Sequence, residues 1–237
     1  MTLSSPSEVV QLKLTYQNQT VDINFPKDEG FLVKEIFEQD EYDILPHRSH
    51  SGPLQIFDIG GNIGLFAIYM KMKYPESNIY SFEPTPNNLV LFRVNTESFN
   101  DITIRPYGLY NQEKEAVLYI HPQNSGMNSI KTFVGSNADT TKVRLKDAAT
   151  EFDQMGFKHL DILKIDTEGC EIEILESLGH RIADIDYILV EYHSESDRRH
   201  IDQILKDFHV YSSRSVILGL GTVSYINSRL LKMNQKF

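Results

Sequence analysis

Residues 56–70, IFDIGGNIGLFAIYM, join an apolar run ending in an acid to a turn holding three glycines and then to a second apolar run of different period. The first run, LQIFDI, reads as a buried strand and the second, GLFAIYMKMKY, as a helix. Glycine gives a strand-to-helix turn the backbone freedom it needs, and it lets a ligand approach where a side chain would collide. Ligands of open α/β sheets sit beyond the carboxyl ends of the strands, and Asp58 falls at that end of this strand.

The same alternation recurs along the chain: NIYSFE, ITIRPYGL, LDILKID and DYILVEY read as strands, and TPNNLVLFRVNTESF, ATEFDQMGF, EIEILESLG and ESDRRHIDQILKDF as helices. Thr85 is placed to cap the helix whose first residue is Pro86. The C-terminal stretch HVYSSRSVILGLGTVSYINS holds strands with no helix between them, which reads as an antiparallel closing pair. The expected fold is α/β, a Rossmann-like doubly wound, three-layer α/β/α unit with a mostly parallel sheet.

Before this unit, VVQLKLTYQNQTVDINF alternates around an Asn-rich turn like a hairpin, and FLVKEIFEQDEYDIL has helical spacing. Pro46, Gly52 and Pro53 then punctuate the chain, so a boundary is expected near Ser51: an N-terminal hairpin and helix layer over residues 1–50, and the main domain over 51–237. Residues 108–150 are less regular. EAVLYIH and TKVRL read as strands around a long polar loop, PQNSGMNSIKTFVGSNADT, and loops of that length more often have a function than not.

Composition narrows the classes of function. A chain of 237 residues with 41% hydrophobic and 24% charged side chains can bury one sizeable core and does not read as disordered. The net charge of −10 argues against phosphate backbones and anionic lipid, so neither a nucleic acid nor a membrane is expected as partner. Cys170 is the single cysteine, which rules out an internal disulfide and a cysteine zinc framework. The N-terminus lacks the pattern of a secretion signal, and no stretch approaches the roughly 20 apolar residues of a membrane span, so a cytoplasmic protein is expected.

The turn does not follow the dinucleotide fingerprint, which wants glycine first, third and sixth; counted from Gly60 those places hold Gly60, Asn62 and Leu65. Asp58 beside the turn suits a cationic ligand better than a pyrophosphate, and Glu83, about 25 residues on at the end of the second strand, suits the hydroxyls of a ribose. The pair points to a nucleoside carrying positive charge. A nicotinamide-dependent oxidoreductase is the alternative enzyme, and a cofactor-binding module without turnover the alternative outside catalysis.

FDIGGNIGLFAIYM, YSFEPTPNNLVLFRVN and LDILKIDTEGCEIEIL, in this order, resemble the FkbM-type class I methyltransferases, which use S-adenosyl-L-methionine. The resemblance spans roughly residues 50–195. It implies a seven-stranded sheet with a reversed last hairpin, Asp58, Gly60, Asn62 and Gly64 around the amino acid end of the cofactor, and Glu83 on its ribose. The turn at Tyr107 through Tyr110 is then expected to frame the adenine. It further implies methylation of a hydroxyl on a small-molecule acceptor such as a sugar or natural product.

KIDTEGCE packs Lys164, Asp166, Glu168 and Glu171 at the end of a buried strand, and VEYH brings Glu191 and His193 to the same rim. If the strand persists, Asp166 and Glu168 share a face. Methyl transfer needs alignment, exclusion of water and a base for the acceptor's proton, and Asp166, then His193, then Glu168 are the candidates for that base. Asp166, Glu191 and His193 also have the donor types for a divalent metal, although none is expected to be required. Asn124, Ser125 and Ser129 of the loop NSGMNSI are assigned to substrate contact. Structural roles compete with several of these: helix packing for Gly60 and Gly64, an exposed strand end for Glu83, capping of the helix near Cys170 for Asp166 and Glu168, a surface or core role for His193, and core filling for Cys170, Tyr42, Tyr107 and Met127.

Overall fold

A computed structural model describes residues 8–16, 18–39, 41, 42, 44, 52–121, 124–131 and 139–234. The boundary expected near Ser51 and parts of the long loop (122, 123 and 132–138) lie outside the described residues. Strands β1 (Val9–Tyr16) and β2 (Gln19–Pro26) form the expected antiparallel hairpin, turning through Asn18 in a left-handed conformation at φ 65°. Helix α1 (Gly30–Phe37) follows. It is shorter than the periodicity of residues 31–45 predicts, because Glu38 and Glu41 would put negative charge at the negative end of the helix dipole. Tyr42 instead folds back edge-on against Phe66, with ring centroids 5.0 Å apart.

The main unit runs β3 (Gln55–Ile59), α2 (Leu65–Lys73), β4 (Asn78–Phe82), α3 (Pro86–Thr96), β5 (Ile102–Arg105), β6 (Gly108–Tyr110), β7 (Lys114–Ile120), β8 (Asp139–Asp147), α4 (Ala148–Gln154), β9 (Leu160–Ile165), α5 (Glu171–Leu178), β10 (Ile185–Tyr192), α6 (Glu195–Ile204), β11 (Phe208–Ile217), β12 (Leu220–Asn227) and α7 (Ser228–Asn234). Seven strands make the central sheet in the order β11-β12-β10-β9-β3-β4-β5. Strands β10, β9, β3, β4 and β5 pair in parallel, and β12 pairs antiparallel with both β10 and β11. The order reverses between β3 and β9, which opens the crevice where such sheets bind ligands.

Alternate residues of each strand feed the two faces of this sheet. Ile56, Ile162, Tyr187 and Leu189 pack with the hairpin, α1 and α2, while Phe57, Leu163, Ile188 and Val190 pack with α4, α5 and α6. Helix α2 is buried from Leu65 to Met72, so it shows no polar face. ITIRPYGL, expected as one strand, is split: Pro106 has no N–H to donate, the chain turns there, and β6 joins a separate three-stranded sheet, β6-β8-β7. Among the described residues no helix is long and apolar enough to cross a membrane.

Candidate active site

The glycine turn is held from below. Gly60 N and Gly61 N donate to the Phe82 carbonyl at 3.0 and 3.1 Å, and Gly60, Asn62 and Gly64 all have left-handed φ, at 86, 47 and 89°. A Cβ on Gly60 would sit 1.7 Å from the Asp166 carbonyl oxygen, so β3 and β9 can close on each other only without one. A Cβ on Gly64 would press against Phe92 and Thr96 at 3.2–3.3 Å.

Asp58 is also turned inward. It is fully buried, accepts from Ser81 Oγ at 2.9 Å and lies 3.3 Å from Lys164 Nζ. Burial raises its pKa against the pull of Lys164 and Ser81. It lines neither of the two cavities at the sheet's end; the lysine two residues before Asp166 holds its carboxylate. Lys164 Nζ also donates to the Gly60 carbonyl at 2.6 Å and lies 3.3 Å from Asp166, so one buried ammonium ties the glycine turn to β9.

Glu83 stands at the end of β4 and lines the smaller cavity, of about 630 Å³. Its Oε2 accepts from Asn62 N at 2.9 Å, its Oε1 from Thr85 N at 2.7 Å, and burial pushes its pKa up to about 7. Thr85 does occupy the N-cap of α3, though its side chain makes no cap bond. The far wall of this cavity is apolar, with Leu109, Leu118, Ile130 and Leu145. In the turn expected to frame the adenine, Gly108 and Leu109 reach the cavity, while Tyr107 donates to Glu151 at 2.7 Å and Tyr110 to Glu173 at 3.4 Å.

A larger cavity of about 1120 Å³ opens on the other side of Gly60 and Asn62, below α1, and holds Asp166, Glu168, Glu191 and His193 in its wall. Asp166 and Glu168 line both cavities. They do not share a strand face: β9 ends at Ile165, and Glu168 is reached through a turn in which it adopts φ 55°. A glutamate in that region is strained, and the strain is held by the Ser129 hydroxyl donating to its carbonyl at 2.6 Å. Neither acid caps α5, whose N-cap Cys170 makes no side-chain cap bond; Glu171 Oε1 instead braces the turn before the helix, accepting from Thr167 N, Thr167 Oγ1 and Gly169 N, each at 3.0 Å.

His193 Nε2 lies 3.0 Å from Glu168 Oε2 and 3.4 Å from Glu191 Oε2. Burial lowers the pKa of His193, but the two carboxylates outweigh it and push it up to about 11. Burial and the charge of Asp166 push Glu191 up to about 9. Asp166 moves the other way: against burial, the Lys164 ammonium and a hydrogen bond from Glu191 keep it low. Asp166 is therefore held ionised where it lines both cavities, whereas His193 already carries its proton at neutral pH.

Ser125 lines the smaller cavity and Asn124 the larger. Ser129 lines neither and is buried. The loop is locked by Glu29, a buried carboxylate that accepts from Ser125 N at 2.6 Å and Ser125 Oγ at 2.8 Å, while Ser125 Oγ lies 3.1 Å from Asn62 Oδ1. Glu29 and the central role of Lys164 escape the sequence reading. A lysine between apolar positions of DILKID is the one signal that marks the latter. Cys170 is buried and its thiol is pushed up to about 12, as a packed residue would be.

A crevice at the switch point of a seven-stranded sheet, with a glycine turn over one strand and an acid at the end of the next, defines a nucleoside-cofactor enzyme of the α/β class. The Methyltransferase FkbM domain matches residues 58–212, and the chain belongs to that family of methyltransferases. It is similar to Methyltransferase 1 of Beauveria bassiana, with 34% identity over 185 residues that cover 68% of this chain and 72% of the relative. It is also similar to the hexuronic acid methyltransferase AglP of Haloferax volcanii, with 23% identity over 172 residues, 72% of this chain and 68% of that one. The crystal structure of methyltransferase FkbM from Methylobacillus flagellatus shares the fold at a TM-score of 0.51 and 14% identity, over 75% of this chain and 44% of that one. A methyltransferase family leaves the nicotinamide alternative without support.

Proposed function

We propose that this methyltransferase takes S-adenosyl-L-methionine in the smaller cavity and a hydroxyl of a small molecule, such as a sugar or natural product, in the larger one. The observation that carries the reading is that the two cavities meet across Gly60, Asn62, Asp166 and Glu168. The residues of the smaller cavity fit the cofactor: Glu83 offers acceptor oxygens to ribose hydroxyls, and Leu109, Leu118 and Leu145 offer an apolar wall to a base. The hexuronic acid relative supports a sugar-like acceptor. Phe31, Leu32 and Ile36 of α1 line the larger cavity, so α1 serves as an outer wall of the acceptor site.

When bound, the cofactor supplies a methyl group already activated on a sulfonium. The protein's part is to align the acceptor oxygen with that methyl carbon, exclude water and take the proton. Asp166, which lines both cavities, would take the proton of the acceptor hydroxyl as its oxygen receives the methyl group. The test is thermal stabilisation by S-adenosylhomocysteine followed by mass analysis of acceptors incubated with enzyme and cofactor. Asp166→Asn is expected to lower turnover by about 100-fold while the affinity for S-adenosylhomocysteine changes by less than about threefold. Unchanged turnover would remove Asp166 from the reaction.

Glu83 gives a pH dependence. Its pKa of about 7 in the free protein means that ribose hydroxyls, which bind best to the ionised carboxylate, meet a mostly protonated group at pH 6 and a mostly ionised one at pH 8. Affinity for S-adenosylhomocysteine is expected to rise about tenfold over that interval, and calorimetry on Glu83→Gln should find this rise absent. An equal rise in the variant would assign it to another group.

A further inference from the structure

We propose that Glu168, Glu191 and His193 form a divalent-cation site in the wall of the larger cavity, and that the bound ion takes the acceptor oxygen as a further ligand. The second half rests on the acceptor reading of that cavity; binding of the ion does not.

The three ligand atoms lie within 4.8 Å of one another. Neighbouring ligands about 2.1 Å from a common ion are about 3.0 Å apart in an octahedron and about 3.4 Å apart in a tetrahedron. The distances from His193 Nε2 to Glu168 Oε2 and Glu191 Oε2 are 3.0 and 3.4 Å. A plain ion pair would instead aim the ring N–H along one of these lines. Both ring nitrogens of His193 are buried, yet neither makes an aligned hydrogen bond. A buried ring nitrogen within 3.4 Å of two carboxylate oxygens, without an aligned hydrogen bond to either, is what a shared ion requires.

The supports are rigid. Glu191 lies in β10 and His193 just beyond its end, both in the wall of the larger cavity, and Glu168 is fixed by the Ser129 hydroxyl through its own carbonyl. Two carboxylates and one imidazole suit magnesium, manganese or zinc, and all three residues line the larger cavity, from which further ligands can come.

A second cluster of the same residue types shows the contrast. His159, Asp161 and Asp186 also come within 4.8 Å of one another, at the opposite end of β9 and β10. There Arg229 supplies the positive charge, 2.7 Å from Asp186 and 3.0 Å from His159 Nδ1, and Asp161 accepts from Gln55 N at 2.7 Å. Among the described residues no lysine or arginine pairs with Glu168 or Glu191. Lys164 is spent on Asp58 and Asp166. The ion departs from the sequence expectation in two ways: it is a working part of the site, and Glu168 replaces Asp166 among its ligands.

The test is titration of the chelator-stripped full chain with manganese(II), followed by electron paramagnetic resonance and calorimetry. One site per chain is expected, and Glu168→Gln, Glu191→Gln and His193→Ala should each weaken it at least about tenfold. Stabilisation by S-adenosylhomocysteine, measured on the same samples, reports that the variants are folded and tests the cofactor reading separately. No stoichiometric site in the natural sequence, or a site indifferent to all three substitutions, would overturn the proposal. Manganese bound in a chain that ignores S-adenosylhomocysteine would uphold the ion site and refute the cofactor reading.

Discussion

Lys164→Met is expected to destabilise the fold by about 3–5 kcal/mol, read as a fall of roughly 10 °C in melting temperature. Methionine keeps the volume of the side chain, so the effect isolates the charge. In the natural chain the Lys164 ammonium meets the Gly60 carbonyl at 2.6 Å and the carboxylates of Asp58 and Asp166 at 3.3 Å each. Without it, Asp58 keeps a single partner, Ser81, at a site with no solvent exposure. An uncompensated buried charge costs more than the ion pair itself contributes, which is why the loss is large.

The sign with pH follows from the same geometry. Burial raises the pKa of Asp58 even with the lysine present. In Lys164→Met the opposing ammonium is gone, so the folded variant binds that proton still more tightly than the unfolded chain does. A raised carboxyl pKa gives stability that is present at low pH and lost as pH rises through it. The deficit of the variant should therefore shrink as pH falls, and Asp58→Asn added to Lys164→Met should recover part of it at neutral pH. Denaturant melts across pH decide the matter. A variant that melts within 2 °C of the natural chain at neutral pH, roughly the effect of 1 kcal/mol, would show that the lysine is dispensable.

This ion pair also marks where a sequence stops being readable. The glycine turn, the strand alternation and Glu83 are local patterns, and the structure has the seven-stranded sheet that they and the family resemblance lead one to expect. The two faces of the sheet are visible in adjacent letters, since Ile56 and Phe57 enter opposite cores. What local patterns do not carry is the direction of a charged side chain at a strand end. Asp58 looks as available as Glu83 until β9 is placed beside β3, and only then does Lys164 reach it. Glu29 and Ser125 are 96 residues apart and meet only because α1 lies across the glycine turn. Glu168 misleads for a different reason: period-two reasoning holds only while the strand continues, and the turn after Ile165 sets its direction by a left-handed φ instead.

Gly60→Ala is expected to destabilise the chain by more than about 4 kcal/mol and to abolish cofactor binding. The added Cβ would lie 1.7 Å from the carbonyl oxygen of Asp166 and 2.8 Å from its carbon, and a backbone group cannot rotate aside as a side chain can. Relief means separating the ends of β3 and β9. That breaks the 3.0 Å bond from Asp166 N to the Ile59 carbonyl and moves the Gly60 carbonyl away from Lys164. Gly156→Ala is the control, because Gly156 also has a left-handed φ, 68°, but its Cβ would meet nothing within 4 Å. That variant carries the conformational cost alone, about 1–2 kcal/mol. The difference between the two, measured by denaturant unfolding, is the cost of the contact with β9. If they differed by less than about 1 kcal/mol, the turn would be adjusting at little cost. Since the same closure brings Asp166 between the two cavities, a chain with an alanine here should lose methyl transfer even at temperatures where it remains folded.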